Sequence, residues 1–195
     1  MKKIIVGLSG ASGIIYGIRL LEVLQALPHM ETHLVMSTAA ATTIPLETDY
    51  MPEQVRALAT EEYRFKDIAA AISSGSFRTD GMIILPCSMK TLSAIAYSYS
   101  DNLLTRAADV VLKERRKLIL CPRETPLHVG HLRAMTLAAE MGAFIVPPMP
   151  AFYHRPRTVD DIINQTVNRV LDLVDVSLPE DLFQRWQGGR TSREE

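Results

Sequence analysis

A chain of 195 residues is long enough to bury a substantial core in one domain, and 47% apolar with 22% charged residues excludes a disordered or fibrous protein. The formal net charge of -1 offers no global attraction to nucleic acid or anionic lipid, so any anion binding has to be local. Two cysteines, Cys87 and Cys121, stand outside any CxxC pair or zinc-spaced array, which excludes a disulfide framework and suits a reducing cytoplasm.

The chain begins with "KKIIVGLSGASGIIYG", residues 2 to 17, which has the look of a secretory leader, a nucleotide-binding turn and a buried strand at once. Ser9, Gly10, Ser12 and Gly13 interrupt the apolar run, and Arg19 and Glu22 follow on a helical pattern instead of a cleavage site, so a leader is disfavoured. The spacing predicts a strand over 3–8 and a helix over 12–27. A dinucleotide turn ending at Gly13 requires glycine at position 8, where Leu8 stands, and an acid after the second strand, where Ser37 and Thr38 stand. What remains is a small-residue turn into a helix N-terminus, with Ser9 and Ser12 beside free N–H groups: a phosphate site, or a tight turn that Ser12 caps.

Further along, the pattern predicts a strand over 32–36, a helix over 38–46, and an irregular stretch over 47–64 with a possible helix after Pro52. A helix over 67–74, a strand over 81–85 ended by Pro86, and helices over 88–97 and 103–115 come next. A strand over 117–121, a helix over 129–141, a strand over 143–146 and a helix over 159–176 complete the alternation. The fold class expected is α/β: a Rossmann-like, doubly wound, mainly parallel sheet of five to six strands with helices on both faces. Residues 1–186 are expected to form a single α/β domain, and the polar tail 187–195 is expected to be mobile. The apolar runs are strand-sized, so no membrane span is expected.

Ligands of such sheets bind at the carboxyl ends of the strands. In "ILPCSMKTLSAIA" Ser88 caps the next helix, and the N–H groups of Met89, Lys90 and Thr91 offer a second anion site, with Cys87 as a buried small apolar residue. In "CPRETPLHVGHL" Arg123 and Glu124 sit between two prolines at the mouth of the sheet. His128 and His131 lack the carboxylate of an HExxH pattern, and no metal is assigned. Arg106 and Lys113 share a helical face opposite Leu103, Ala107, Val110 and Val111, where they can meet a ligand or a neighbouring subunit. "PPMPAFYHRPRT" displays Phe152 and Tyr153, and Thr158 with Asp161 makes a capping box for the last helix. Val159, Ile162, Ile163, Val167, Val170, Leu171 and Val174 form its packing stripe, with Arg169 off it.

Taken together, "GLSGASG … ETD … LPCSMKTL … RAADVVLKERR … PRETPLHVGHL … PPMPAFYHRP" resembles the flavin prenyltransferases, the UbiX and phenylacrylic acid decarboxylase-associated family, over almost the whole chain. The resemblance implies an enzyme that binds FMN and joins a dimethylallyl group from dimethylallyl monophosphate to N5 and C6 of the reduced flavin, without a metal. The product, prenylated FMN, would serve a UbiD-type decarboxylase in ubiquinone synthesis or phenolic acid breakdown. By position, Gly10, Ala11, Ser12, Ser37, Ser88, Met89, Lys90, Thr91 and Arg123 would hold FMN. Tyr153 and Arg169, with Arg106 and Lys113, would hold the prenyl phosphate, and Ser12, Glu47, Lys113 and Glu124 would be catalytic. The resemblance also implies a cytoplasmic homo-oligomer, a dodecamer, in which Arg169 is a phosphate clamp completed across a subunit boundary. Two rivals share the fold: a non-catalytic flavin carrier or accessory subunit of an aromatic acid decarboxylase, and a flavin-dependent cysteine decarboxylase. The latter's catalytic His and "PASANT"-like segment find no counterpart in "IIYGIRLL" and "PCSMKT".

Overall fold

The computed structural model describes residues 1–188. One sheet of six parallel strands organises them: β1 (Lys2–Leu8), β2 (Met30–Met36), β3 (Glu61–Tyr63), β4 (Gly81–Cys87), β5 (Lys117–Pro122) and β6 (Phe144–Ile145). The spatial order is β3-β2-β1-β4-β5-β6. The chain therefore winds outward from β1 to β3, then returns to pair β4 with the other side of β1, where Val6 faces Ile83. That reversal opens a crevice between the carboxyl ends of β1 and β4.

Seven helices cover the sheet: α1 (Ile14–Gln25), α2 (Thr38–Glu47), α3 (Pro52–Arg56), α4 (Met89–Ala96), α5 (Leu103–Lys113), α6 (Val129–Glu140) and α7 (Val159–Leu173). Alternate residues of each central strand feed opposite layers, because successive side chains of a strand point to opposite faces. Ile4, Val6, Leu8, Ile83, Leu85, Ile119 and Cys121 pack with α1 and α7 residues such as Ile18, Leu21, Val167 and Leu171. Ile5, Met82, Ile84, Cys87, Leu118 and Leu120 pack with Leu92, Leu104, Ala107 and Val111 of α4 and α5. Each such fully buried aliphatic side chain contributes about 1.5–3 kcal/mol. The two cysteines lie in opposite layers, both free and buried.

Several sequence expectations need correction. The helix expected over 67–74 is absent: Asp67 accepts a hydrogen bond from the Ala69 N–H, a local turn that competes with helix, and only Ala71–Ser73 form a 3-10 turn. The short edge strand β3, "EEY", lies inside the stretch read as irregular, since its two glutamates give no apolar signal. Pro86 does not end β4, which runs to Cys87 with its pairing to β5 shifting register between Ile84 and Cys87. The first helix starts at Ile14 rather than Ser12. Val159, placed on the packing stripe of the last helix, is 71% exposed. The expected mobile tail lies outside the described residues from position 189 onward.

Candidate active site

The β1–α1 turn begins the site. Ser9 does not face a ligand: it is buried, its hydroxyl donates to the Pro86 carbonyl at 3.0 Å and accepts from the Ser88 N–H at 2.7 Å. It ties the ends of β1 and β4 together across the crevice. Nor does Ser12 cap α1. The N-cap is Gly13, at φ 91° in the left-handed region that a side chain would strain, and it makes no side-chain cap. The acceptor comes instead from Glu47, the last residue of α2, whose Oε2 takes the N–H groups of Gly13 at 2.8 Å and Ile14 at 3.2 Å. The helix N–H groups expected to be free are thus partly engaged by a carboxylate of the chain itself. Partial burial works to raise the Glu47 pKa, but the Ser12 hydroxyl, the two N–H groups and the Arg123 charge outweigh it and hold the carboxyl below the usual range. Glu47 is therefore a carboxylate at neutral pH.

Three helix starts meet beside this turn. Ser37 caps α2 by accepting from the Ala40 N–H at 3.1 Å, Ser88 caps α4 by accepting from the Thr91 N–H at 3.2 Å, and Asn102 caps α5 by accepting from the Thr105 N–H at 3.0 Å. Between them lies a cavity of about 350 Å³ lined by Gly10, Ser37, Thr38, Ala39, Phe65, Ser88, Lys90, Thr91, Asn102 and Thr105. A Cβ on Gly10 would come within 2.3 Å of the Ala39 Cβ, so glycine is what lets the turn and α2 approach this closely. Hydroxyls, helix dipoles and Lys90 suit a phosphate, while the Phe65 ring suits a flat aromatic group, so the donor set fits FMN. The Met89 side chain is buried in the α4–α5 layer. Of the nine residues expected to hold FMN, Gly10, Ser37, Ser88, Lys90 and Thr91 line this cavity, while Ala11, Ser12, Met89 and Arg123 do not.

Arg123 is exposed at the end of β5, its N–H bonded to the Cys87 carbonyl at 3.2 Å and its charge acting on Glu47. Glu124 is exposed beside it and accepts from the Thr125 N–H at 3.0 Å. His128 caps α6 by accepting from the Gly130 N–H at 3.0 Å and stacks on His131 with ring centroids 3.6 Å apart. Among the described residues no three His, Cys, Asp or Glu side chains gather as a metal site.

Tyr153 and Arg169 meet elsewhere, in a cavity of about 490 Å³ lined also by Phe183, Arg185 and Trp186. The Tyr153 hydroxyl accepts from the Gln165 side-chain amide at 3.1 Å, and Arg169 donates to Asp172 at 2.7 Å. Gln165, Arg169 and Asp172, at intervals of four and three on α7, present these partners along one line. Arg106 and Lys113 are not brought to either cavity within the chain. Arg106 donates to the Ser73 carbonyl and to Asp109, and Lys113 to Glu114. The reason is topological: α5 runs back against the strands, so Lys113 lies near the start of β5 at the amino edge of the sheet, opposite the crevice.

Sequence reading missed Asn102, Thr105, Phe65, Gln165, Asp172 and Arg185. Asn102 preceding an apolar helical run is a cap signal that could have been found. Gln165 and Asp172 stand in i,i+4 and i,i+3 relation to Arg169, a spacing that was equally visible.

The Flavoprotein family profile matches residues 1–177. The flavin prenyltransferase UbiX of Escherichia coli (strain K12) is 68% identical over 188 residues, covering 96% of this chain and all of that protein. A dodecameric FMN-dependent UbiX-like decarboxylase from Escherichia coli O157:H7 superposes with a TM-score of 0.92 at 56% identity, covering 95% of this chain and all of the other. AnUbiX, solved in complex with FMN and dimethylallyl pyrophosphate, gives a TM-score of 0.91 at 51% identity, covering 96% and 98%.

Proposed function

We propose that this chain, which belongs to the Flavoprotein family and within it to the UbiX flavin prenyltransferases, transfers a dimethylallyl group from dimethylallyl monophosphate to reduced FMN. The observation that carries the reading is the crevice between β1 and β4, where three helix starts and the Gly10 turn line a cavity of ligand size, and where the ionised Glu47 binds the Gly13 and Ile14 N–H groups at the end of that turn. Gly10, Ala11, Ser12, Ser37, Ser88, Met89, Lys90, Thr91 and Arg123 hold FMN there, which when bound supplies the nucleophilic ring edge.

The chain's own residues do the rest. Tyr153 and Arg169 bind the phosphate of the prenyl donor, and the guanidinium stabilises the negative charge that develops as it leaves. Arg106 and Lys113, turned away from the crevice of their own protomer, act from a neighbouring copy in a dodecamer like that described for the Escherichia coli O157:H7 protein. Lys113 there adds positive charge at the departing phosphate, with Glu124 beside it. Glu47 accepts the proton released as the ring edge is substituted, while Ser12 orients the Glu47 carboxylate. Monophosphate recognition by Arg, Lys, Tyr and helix N–H groups makes a metal unnecessary in this scheme. The prenylated flavin passes to a UbiD-type decarboxylase, and two free buried cysteines suit a cytoplasmic setting. No helix among the described residues is long and apolar enough to cross a membrane.

Phosphate release tests the reading: anaerobic incubation with dimethylallyl phosphate should liberate phosphate only when reduced FMN is present. Tight FMN binding without phosphate release would mark a flavin carrier, and turnover of a peptide C-terminal cysteine would mark the decarboxylase class.

A further inference from the structure

The carboxylate of Asp172 is shared by two guanidinium groups. Arg169 reaches Oδ2 with Nη1 alone at 2.7 Å, whereas Arg185 grips both oxygens, Nη1 to Oδ2 and Nη2 to Oδ1, each at 2.8 Å. Arg185 is held on its other edge by Asp181, through Nε at 2.5 Å and Nη2 at 2.6 Å. Its segment is fixed to α7, where the Leu182 N–H donates at 2.8 Å to the side chain of the buried Asn168. Phe183 and Trp186, on either side of Arg185, set their rings edge-to-face with Tyr153 at centroid distances of 6.3 and 6.2 Å. The residues after α7 thereby build one wall of the cavity that Tyr153 and Arg169 line.

This arrangement constrains Arg169. An isolated arginine and carboxylate on one helix face favour a two-pronged pair. Such a pair would turn the Arg169 fork toward Asp172 and away from the cavity. Because Arg185 already occupies both oxygens, Arg169 keeps one contact and presents its remaining N–H groups, on a side chain 48% exposed. The Asp172 pKa is depressed first by the hydrogen bonds from Arg185, against opposing burial, and only then by those from Arg169, in keeping with this division.

We infer that Arg185 is a positioning residue: by occupying Asp172 it holds the Arg169 guanidinium open toward the anionic group of the substrate. The inference rests on the reading of Arg169 as a ligand of the prenyl phosphate. Its test uses the full chain loaded with reduced FMN and four variants: Arg169→Gln, Arg185→Gln, Arg185→Lys and the Arg169→Gln, Arg185→Gln double. Arg169→Gln should raise the KM for dimethylallyl phosphate by about tenfold or more, the loss of a charge-assisted contact. An unchanged KM there would overturn the reading of Arg169 itself, whatever Arg185 does.

With that established, Arg185→Gln should raise the same KM several-fold with kcat and FMN affinity little changed. Arg185→Lys, which keeps the charge but lacks the fork, should restore only part of it. The double variant should be no worse than Arg169→Gln alone, because Arg185 acts through Arg169. Full additivity in the double variant, an unaltered KM in Arg185→Gln, or a joint fall of FMN affinity, kcat and melting temperature would overturn the positioning role.

Discussion

Replacing Glu47 by Gln keeps the shape of the side chain and removes the charge that sits at the N-terminus of α1. In the wild type that carboxylate receives two backbone N–H groups at 2.8 and 3.2 Å and bonds the Ser12 hydroxyl. A carboxylate at a helix N-terminus is worth about 0.3–1 kcal/mol when exposed to solvent, and the upper part of that range applies to a group that also accepts directed hydrogen bonds. For a chain of this size the loss lowers the melting temperature by roughly 2–4 °C per kcal/mol. The pH dependence follows from the depressed pKa. A carboxyl held below its ordinary value of 4.5 contributes fully above that value and loses the contribution as pH falls through its folded pKa. The melting difference between wild type and Glu47→Gln should therefore be full at pH 7 and shrink below about pH 4.5. In the reaction the same substitution removes the proton acceptor, so kcat should fall by about 100-fold or more while FMN still binds. Calorimetry across pH and single-turnover kinetics with reduced FMN read both effects. A melting difference that stays constant down to acid pH, or near-normal kcat, would refute the reasoning.

Ser9→Ala should cost about 1–3 kcal/mol, because the half-buried Ser88 N–H loses its acceptor, and calorimetry should show it together with weaker FMN binding from the misaligned α4 start. Leu104→Ala, emptying a fully buried site between α5 and the sheet, should cost about 2–5 kcal/mol in denaturant titration. Tyr153→Phe removes the acceptor for Gln165 and should raise the KM for the prenyl phosphate several-fold, FMN titration being unaffected. Co-expressed Ser12→Ala and Lys113→Ala subunits should recover activity that neither variant has alone, since mixed oligomers contain crevices with both residues intact; no recovery would mean that Lys113 does not act across a boundary.

The alternation of strand and helix was readable because apolar runs of strand length and helical stripes both came from residues that now lie in the two buried layers, such as Ile83 and Ile84 of β4 or Ala107 and Val111 of α5. β3 gives almost no apolar signal because Glu61 and Glu62 are exposed and Tyr63 alone turns to the core, and a helical spacing over 67–74 says nothing of the Asp67 turn that replaces a helix there. At the site, Gly10, Ser37 and Ser88 were legible as strand-end small residues before helices. The capture of the α1 N-terminus by Glu47 was not, since it joins residues 34 apart through the path of α2. Arg106 and Lys113 read as neighbours of the ligand because they share a helix face, yet the direction of α5 carries Lys113 to the far edge of the sheet. Such placements depend on topology, which local pattern does not encode.

The central claim is tested most directly by the mass of the flavin recovered after anaerobic incubation of the protein with reduced FMN and dimethylallyl phosphate. The account predicts a flavin heavier by one five-carbon C5H8 unit, with one phosphate released for each. FMN recovered at its original mass, with the prenyl phosphate intact, would contradict it.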